Sequence, residues 1–288
     1  MISIAKKHIT CATLSIICAI NAHGIAPGEI RWGNECSDTT TITTMLVNAA
    51  TIHSDKSADL VAPIGRMLLD TPYAAGGIEG EPEMLTIRLD SLDCTTFVET
   101  VLAAAKTTYM GRTSWRDFAQ TLMEMRYRGG NVNGYGSRLH YFSDWIVENS
   151  HHGDIKDVTD RIGKADYIVK TLDFMSRNRN KYPALQDENS YNAIKNVEVG
   201  YRSHRFAYIK PINIKSAALK EGDVIGIATS IPGLDVTHMG IVVIINDTPH
   251  LLHASSAKGK VIVDNLPLID YVKRNRKAIG IRVLRLKE

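Results

Sequence analysis

A change of periodicity near residue 222 limits this fold more than any other feature of the chain. Downstream, "GDVIGIAT", "VTHMGIVVIIN", "HLLHASS", "GKVIVDNL" and "AIGIRVLRL" are short β-branched runs separated by turn residues, the signature of antiparallel strands. Upstream the periodicity is helical. After a loose segment to about residue 40, "TITTMLVNAATIHSDKSADLVAPIGRMLLD" reads as helix, with Ser54 as the N-cap of a second one. "TPYAAGGIEGEPE" (71–83) is a Gly- and Pro-rich loop. Residues 94–106 place Phe97, Val101 and Leu102 on one helical face. About 107–215 mixes helices with polar loops. Helices first and strands afterwards predict an α+β fold, not a βαβ parallel sheet.

Within that plan, "DSLDCTTFVETVLAAA" (90–105) sets a cysteine where a polar loop turns into an apolar helix. Cys94 is then a small buried hydrophobe, half of a disulfide, or a nucleophile. Unpaired backbone N–H groups and the helix dipole at this position favour thiolate. Asp93 opposes it, so a nucleophile here needs a general base. A structural cysteine would sit more naturally inside the apolar run. Of ten histidines, His238 and His253 stand out because each lies in a β-run. His238, Gly240 and Val242 share one strand face, and Gly240 leaves room for a helix or ligand to approach. Leu251, His253 and Ser255 share another. The roles these positions allow are Cys94 attacking, His238 as base and His253 orienting it. One obstacle is register. A hairpin turning at "NDTP" (246–249) would set the two histidines about four residues apart along the strands, so a bulge or a different turn is needed.

The N-terminus reads as an export signal: "MISIAKK", then the apolar "ITCATLSIICAINA" (9–22) ending in small residues. Cleavage after Ala22 or Ala26 would leave one catalytic domain, residues 23–288. Cys18 after "LSII" is a loose match to a lipoprotein box. The segment is too short and too poorly flanked to be a membrane span. Without Lys6 and Lys7 the net charge falls from +3 to +1, which argues against a nucleic-acid surface. Only Cys36 and Cys94 lie beyond residue 22. A disulfide between them is open in an oxidising compartment, and no CxxC or HExxH spacing calls for a metal. No cofactor is expected.

The blocks "TPYAAGG", "LDCTTFVETV", "THMGIVV" and "LLHASS", in this order over 71–256, resemble the NlpC-like papain-fold cell-wall cysteine hydrolases. "YRGGNVNGYGSRLHYFSDWI" and "GDVIGIATSIPGLDVTHMGI" are similar to the N-acetylmuramoyl-L-alanine amidase-like branch of that superfamily. The resemblance implies a papain-like core, with a nucleophile helix packed on an antiparallel sheet and a helical insertion (about 107–215) between Cys and His. It implies Cys94 as nucleophile, His238 as base, His253 as the third polar residue, Tyr73 at the site, and an oxyanion site that includes the Cys94 backbone N–H. Thr95 beside the nucleophile is a further substrate-binding candidate. The implied reaction cuts the amide between muramic acid, in its 1,6-anhydro form, and L-Ala of periplasmic peptidoglycan fragments, by a monomer. The alternatives are a γ-D-glutamyl-diamino acid endopeptidase and a catalytically silent murein-binding protein. Thr95 and Thr96 depart from the Ser-Gly of the wider superfamily, and the Cys94-to-His238 spacing of 144 is unusually long. Both departures fit the branch. In the insertion, Arg138, His140, Tyr141 and Trp145 combine a cation with aromatics suited to sugars and carboxylates. Their alternative is a capped helix, with Ser143 as N-cap, Trp145 and Ile146 buried and Arg138 solvated.

Overall fold

The computed structural model describes residues 27–287; the export-signal reading, with Cys11 and Cys18, lies outside the described residues. Strand β1 (Ile30–Trp32) precedes helices α1 (Glu35–Ala50) and α2 (Ser57–Met67). Strand β2 (Leu85–Ile87), after the Gly-rich loop, pairs in parallel with β1. Helices α3 (Cys94–Tyr109) and α4 (Trp115–Arg126) follow, then α5 (Phe142–His151) and strands β3 (Ile155–Asp157) and β4 (Asp166–Lys170). Helices α6 (Phe174–Arg177) and α7 (Glu188–Gly200) lead to β5 (His204–Tyr208). The chain ends with β6 (Val224–Thr229), β7 (Val236–Ile245), β8 (Thr248–Ser255), β9 (Lys260–Pro267), α8 (Leu268–Arg274) and β10 (Ala278–Leu286).

Each expected strand beyond residue 222 is present. They join β3 in one antiparallel sheet of order β3-β10-β6-β7-β8-β9. Residues 107–215 are not only helix and loop. β3 is an edge strand of the main sheet, and β4 pairs with β5 in a separate two-stranded ribbon. These strands are short and half-exposed, so they lack the apolar runs of a core strand.

Local chemistry sets the helix starts. α1 begins at Glu35 because Asn34 caps it, its Oδ1 accepting the Ser37 N–H at 3.0 Å. Cys36 therefore lies in an ordered first turn, not in a loose arm. Lys56, not Ser54, is the N-cap of α2; the Ser54 hydroxyl accepts the Lys56 N–H at 3.1 Å and donates to Asp59 at 2.7 Å. α3 starts with a reciprocal cap. Asp93 accepts the Thr96 N–H at 2.8 Å, and the Thr96 hydroxyl accepts the Asp93 N–H at 2.9 Å. That cap is a structural reason for Asp and Thr on either side of Cys94.

α3 is the central helix. Phe97, Val98, Val101 and Leu102 are fully buried with α1, α2 and α4 against Ile241, Val243 and Leu252 of the sheet. Each such side chain contributes roughly 1.5–3 kcal/mol. Glu99, also on α3, is buried and pairs with Arg126 of α4 at 2.7 Å, while Arg126 donates to the Thr86 carbonyl at 2.7 Å. The other sheet face carries Ile225, Val242, Leu251 and Ile281 under Leu268 and Val272 of α8. A third cluster gathers Tyr135, Tyr141, Leu172, Met175, Leu185 and Ile194.

Candidate active site

The cap puts Cys94 at the first position of α3, half-buried against the core. It lines a pocket of about 120 Å³ with Thr95, His140, Phe142, Trp145 and His238. Cys94 and Cys36 are both free thiols, so no disulfide joins them. Burial, and then the charge of Asp93, push the Cys94 thiol up to about 11, offset only in part by the nearby Met239 backbone and Thr95 side chain. The expected helix-terminus preference for thiolate is thus outweighed by desolvation.

His238 reaches this pocket from β7, and its Nε2 lies 2.6 Å from His253 Nδ1 on β8. The turn makes the contact. Asn246 and Asp247, both at positive φ, form a two-residue connection, so Ile245 pairs with Thr248 and Ile241 with Leu252. The two histidines are thus only two residues out of register, a diagonal pair within reach of imidazole rings. The expected four-residue offset came from placing the turn one residue too late. Gly240 differs from its expectation too. A Cβ there would sit 2.7 Å from Leu251 Cδ1, so the missing side chain makes room for β8, not for a helix or ligand.

Both rings are neutral. Burial, then neighbouring His253, lowers His238 to about 3. Burial lowers His253 to about 4, partly offset by Asp264. His238 Nε2 is engaged by His253, so Nδ1 is the ring nitrogen outside that contact. Tyr271 of α8 packs its ring edge-on to His253 at 5.2 Å. His238 and Thr237 also line a wider cleft of about 460 Å³ on the α8 side, where Lys258, Asp264, Tyr271 and Arg274 are found.

The remaining candidates divide. Tyr73 lies within electrostatic range of Cys94. Burial is the main cause raising its hydroxyl, followed by Cys94 and Asp93. Thr95 lines the pocket, its hydroxyl 3.8 Å from Met239 Sδ. His140 also lines it, but its Nε2 bonds the Tyr135 carbonyl at 3.0 Å, and burial then Arg138 hold it down at about 3. Arg138 is not among the pocket-lining residues. It is buried and neither solvated nor free for a ligand, because Glu79 at 2.9 Å and Glu83 at 3.2 Å hold its guanidinium. Tyr141 is likewise turned inward; its hydroxyl donates to Glu198 at 2.8 Å and accepts the Met175 N–H at 2.9 Å. Ser143 is not the cap of α5; its N–H donates to Asp235 at 2.6 Å, and Tyr141 precedes the helix. Trp145 is buried and stacked on Phe142, and both line the pocket. The sequence reading missed Asp264 and Tyr271. The visible signal for Asp264 was an acid interrupting the apolar run "GKVIVDNL". Among the described residues no three His, Cys, Asp or Glu side chains cluster as metal ligands do, and no helix is long and apolar enough to cross a membrane.

A family model described as N-acetylmuramoyl-L-alanine amidase-like matches residues 63–281. An N-acetylmuramoyl-L-alanine amidase from Bacteroides uniformis ATCC 8492 is 37% identical with a TM-score of 0.77, covering 81% of this chain and 99% of its own. A Bacteroides fragilis structure provisionally described as a xylanase is 38% identical with a TM-score of 0.73, covering 77% and 98%. A Legionella pneumophila protein, 22% identical with a TM-score of 0.67 over 88% and 96% of the chains, shares the fold. No curated protein matches. The family match takes in Cys94, His238 and His253 together with the helices and strands that hold them, and on that span the chain belongs to the N-acetylmuramoyl-L-alanine amidase-like family.

Proposed function

We propose that this chain is a cysteine amidase that hydrolyses the amide between N-acetylmuramic acid, in the 1,6-anhydro form, and L-Ala in peptidoglycan fragments. The observation that carries the reading is the 2.6 Å contact between His238 and His253 beside a pocket that His238 shares with Cys94. It supports the nucleophile, base and orienter roles expected from the sequence. His238 Nδ1 takes the thiol proton as Sγ attacks the lactyl carbonyl. The oxyanion faces the Cys94 backbone N–H at the start of α3. His238 returns the proton to the departing L-Ala amine, leaving a thioester. Water, deprotonated by the same nitrogen, then releases the lactyl carboxylate and restores the thiol.

The surroundings suit the two halves of such a substrate. Phe142 and Trp145 offer apolar surface on the Cys94 side. Lys258 and Arg274, which form no ion pair among the described residues, stand in the cleft beyond His238, where stem-peptide carboxylates would lie. Glycoside hydrolysis is less well supported, because it commonly uses two carboxylates. Among the described residues, Asp235 is the one carboxylate lining the Cys94 pocket, and it is committed to the Ser143 and Val236 N–H groups. Residues 1–22 as an export signal would deliver the enzyme to the periplasm as a monomer.

Incubation with anhydro-muramyl-tripeptide, read by mass spectrometry, tests the reaction. Free anhydro-muramic acid and an intact L-Ala-initiated tripeptide are expected. Sugar still joined to L-Ala-D-Glu, with free diamino acid, would replace the reading with the endopeptidase. Cys94→Ser and His238→Ala should each lower kcat by about 10⁴-fold or more while the chain stays folded, and Cys36→Ser should not.

A further inference from the structure

The proton of the His238–His253 pair raises a question of tautomers. One hydrogen can occupy the 2.6 Å gap between His238 Nε2 and His253 Nδ1. If it sits on His238, Nδ1 of that ring is bare and can act as a base. If it sits on His253, the neutral His238 carries its hydrogen on Nδ1, and the base is lost. The far nitrogen of His253 decides between these states, because neutral imidazole carries one N–H. His253 Nε2 is buried and has no hydrogen-bond partner among the described residues. The carboxylate of Asp264 faces it, with Oδ2 3.8 Å away.

Asp264 is placed for this task. It follows Val263, the partner of Leu252, where the β8–β9 register shifts. It lies two positions beyond Ile262, the partner of His253, and so shares the strand face of that pair. Its Oδ1 accepts the Leu266 N–H at 2.9 Å, which leaves Oδ2 for the ring. At 3.8 Å the contact is electrostatic and not a hydrogen bond. A negative oxygen still favours an N–H over a lone pair across that gap. Further polar groups near the pair include Tyr271 on α8, Cys94 on α3, and Ser255, Lys258 and Arg274 in the cleft.

We infer that Asp264 is a positioning residue that keeps the His253 hydrogen on Nε2 and thereby leaves His238 Nδ1 free to take the thiol proton. The inference rests on Cys94 and His238 acting as nucleophile and base. Asp264→Asn is the telling substitution. The Leu266 N–H needs an acceptor, so the amide oxygen stays there and the NH₂ group turns to His253. That donor demands a lone pair on Nε2, moves the His253 hydrogen to Nδ1, and places the His238 hydrogen on Nδ1.

The experiment compares wild-type chain, Asp264→Asn and Asp264→Ala by two readouts that need no muropeptide. These are ¹⁵N shifts of the His238 and His253 ring nitrogens, and iodoacetamide alkylation of Cys94 at pH 7.5, followed by peptide mass with Cys36 as internal reference. Wild type should show hydrogens on Nε2 of both rings. Asp264→Asn should move both to Nδ1 and slow Cys94 alkylation about 100-fold, a smaller loss than a wrong tautomer causes directly next to a catalytic base. Asp264→Ala, with no donor to impose either state, should mix the tautomers and slow alkylation about tenfold. Wild-type tautomers in Asp264→Asn, alkylation within about twofold of wild type, or an Asn variant faster than Ala would overturn the inference. If Asp264→Asn fails to fold, Asp264→Ala decides alone: mixed tautomers support the inference, and unchanged tautomers and rate overturn it. An inactive wild type on muropeptide, with these shifts still seen, would instead count against the amidase reading.

Discussion

The thiol of Cys94 and the imidazole of His238 rest in their uncharged forms, at about 11 and about 3, because burial penalises a charge on either. On the proposed mechanism, attack therefore requires the proton to cross as the substrate arrives, and no preformed ion pair waits for it. Iodoacetamide should accordingly modify Cys94 more slowly than exposed Cys36 at pH 7. The Cys94 rate should climb steadily between pH 7 and 9. A flat, fast reaction between pH 5 and 8 would instead reveal a thiolate–imidazolium pair and would show the desolvation argument to be wrong. At the same scale, composition cannot say which way the charged and phenolic groups between residues 107 and 215 turn. Arg138 has two glutamates as partners, and Tyr141 has a glutamate and a backbone N–H.

Two contacts between elements hold the site. α3 and α4 are locked by Glu99 and Arg126, both buried. Arg126→Ala would strand a buried carboxylate, so urea unfolding should show a loss of about 3–5 kcal/mol. Replacing both residues by apolar side chains of similar volume should cost far less than the single change. A nearly unchanged Arg126→Ala midpoint would refute this account. Strand β6 and helix α5 meet at Gly226, where a Cβ would collide with Phe142 Cε1. Phe142 also lines the Cys94 pocket. Gly226→Ala should thus displace that ring, cost about 1–3 kcal/mol of stability, and raise KM more than it lowers kcat. An unaltered KM with lowered stability would confine the glycine to packing.

For the molecule as a whole, the sheet separates two kinds of interior: helices α1 to α4 on one face and α8 on the other, with His238 bordering both the Cys94 pocket and the α8 cleft. If the cleft receives the stem peptide, the combined Lys258→Glu and Arg274→Glu variant should raise KM for muramyl-tripeptide about tenfold or more and leave kcat nearly unchanged. A substrate without acidic stem residues should be indifferent to it, and equal losses on both substrates would assign the cleft no carboxylate. Stability should depend on pH through the same burial. His140 is held at about 3 in the fold, chiefly by burial and then by Arg138, below its ordinary 6.5. The unfolded chain therefore binds the extra proton between these values, and stability present above about pH 6.5 is lost as pH falls. One histidine contributes up to about 1.4 kcal/mol per pH unit in that window. His140→Gln should flatten the urea-midpoint profile between pH 6.5 and 5, and an unaltered slope would remove His140 as its source.

Much of this architecture was legible in the chain. The α+β order follows from periodicity, since a helix repeats its buried face every 3.6 residues and a strand every two. Cys94 at a helix start and two strand histidines were also readable, because a cap and a β-run are local patterns. The meeting of those residues was not local. It depends on a two-residue turn at Asn246–Asp247, on a glycine that admits Leu251, and on the β8–β9 pairing of His253 with Ile262, which sets Asp264 on the face of His253. Charge state was equally beyond the sequence. A helix terminus favours thiolate, but burial depends on everything packed around it, and here burial prevails. Residue type and spacing determined which chemistry the chain could carry. Only tertiary packing decided which polar groups face the pocket, because desolvation and register are properties of neighbours far apart in sequence.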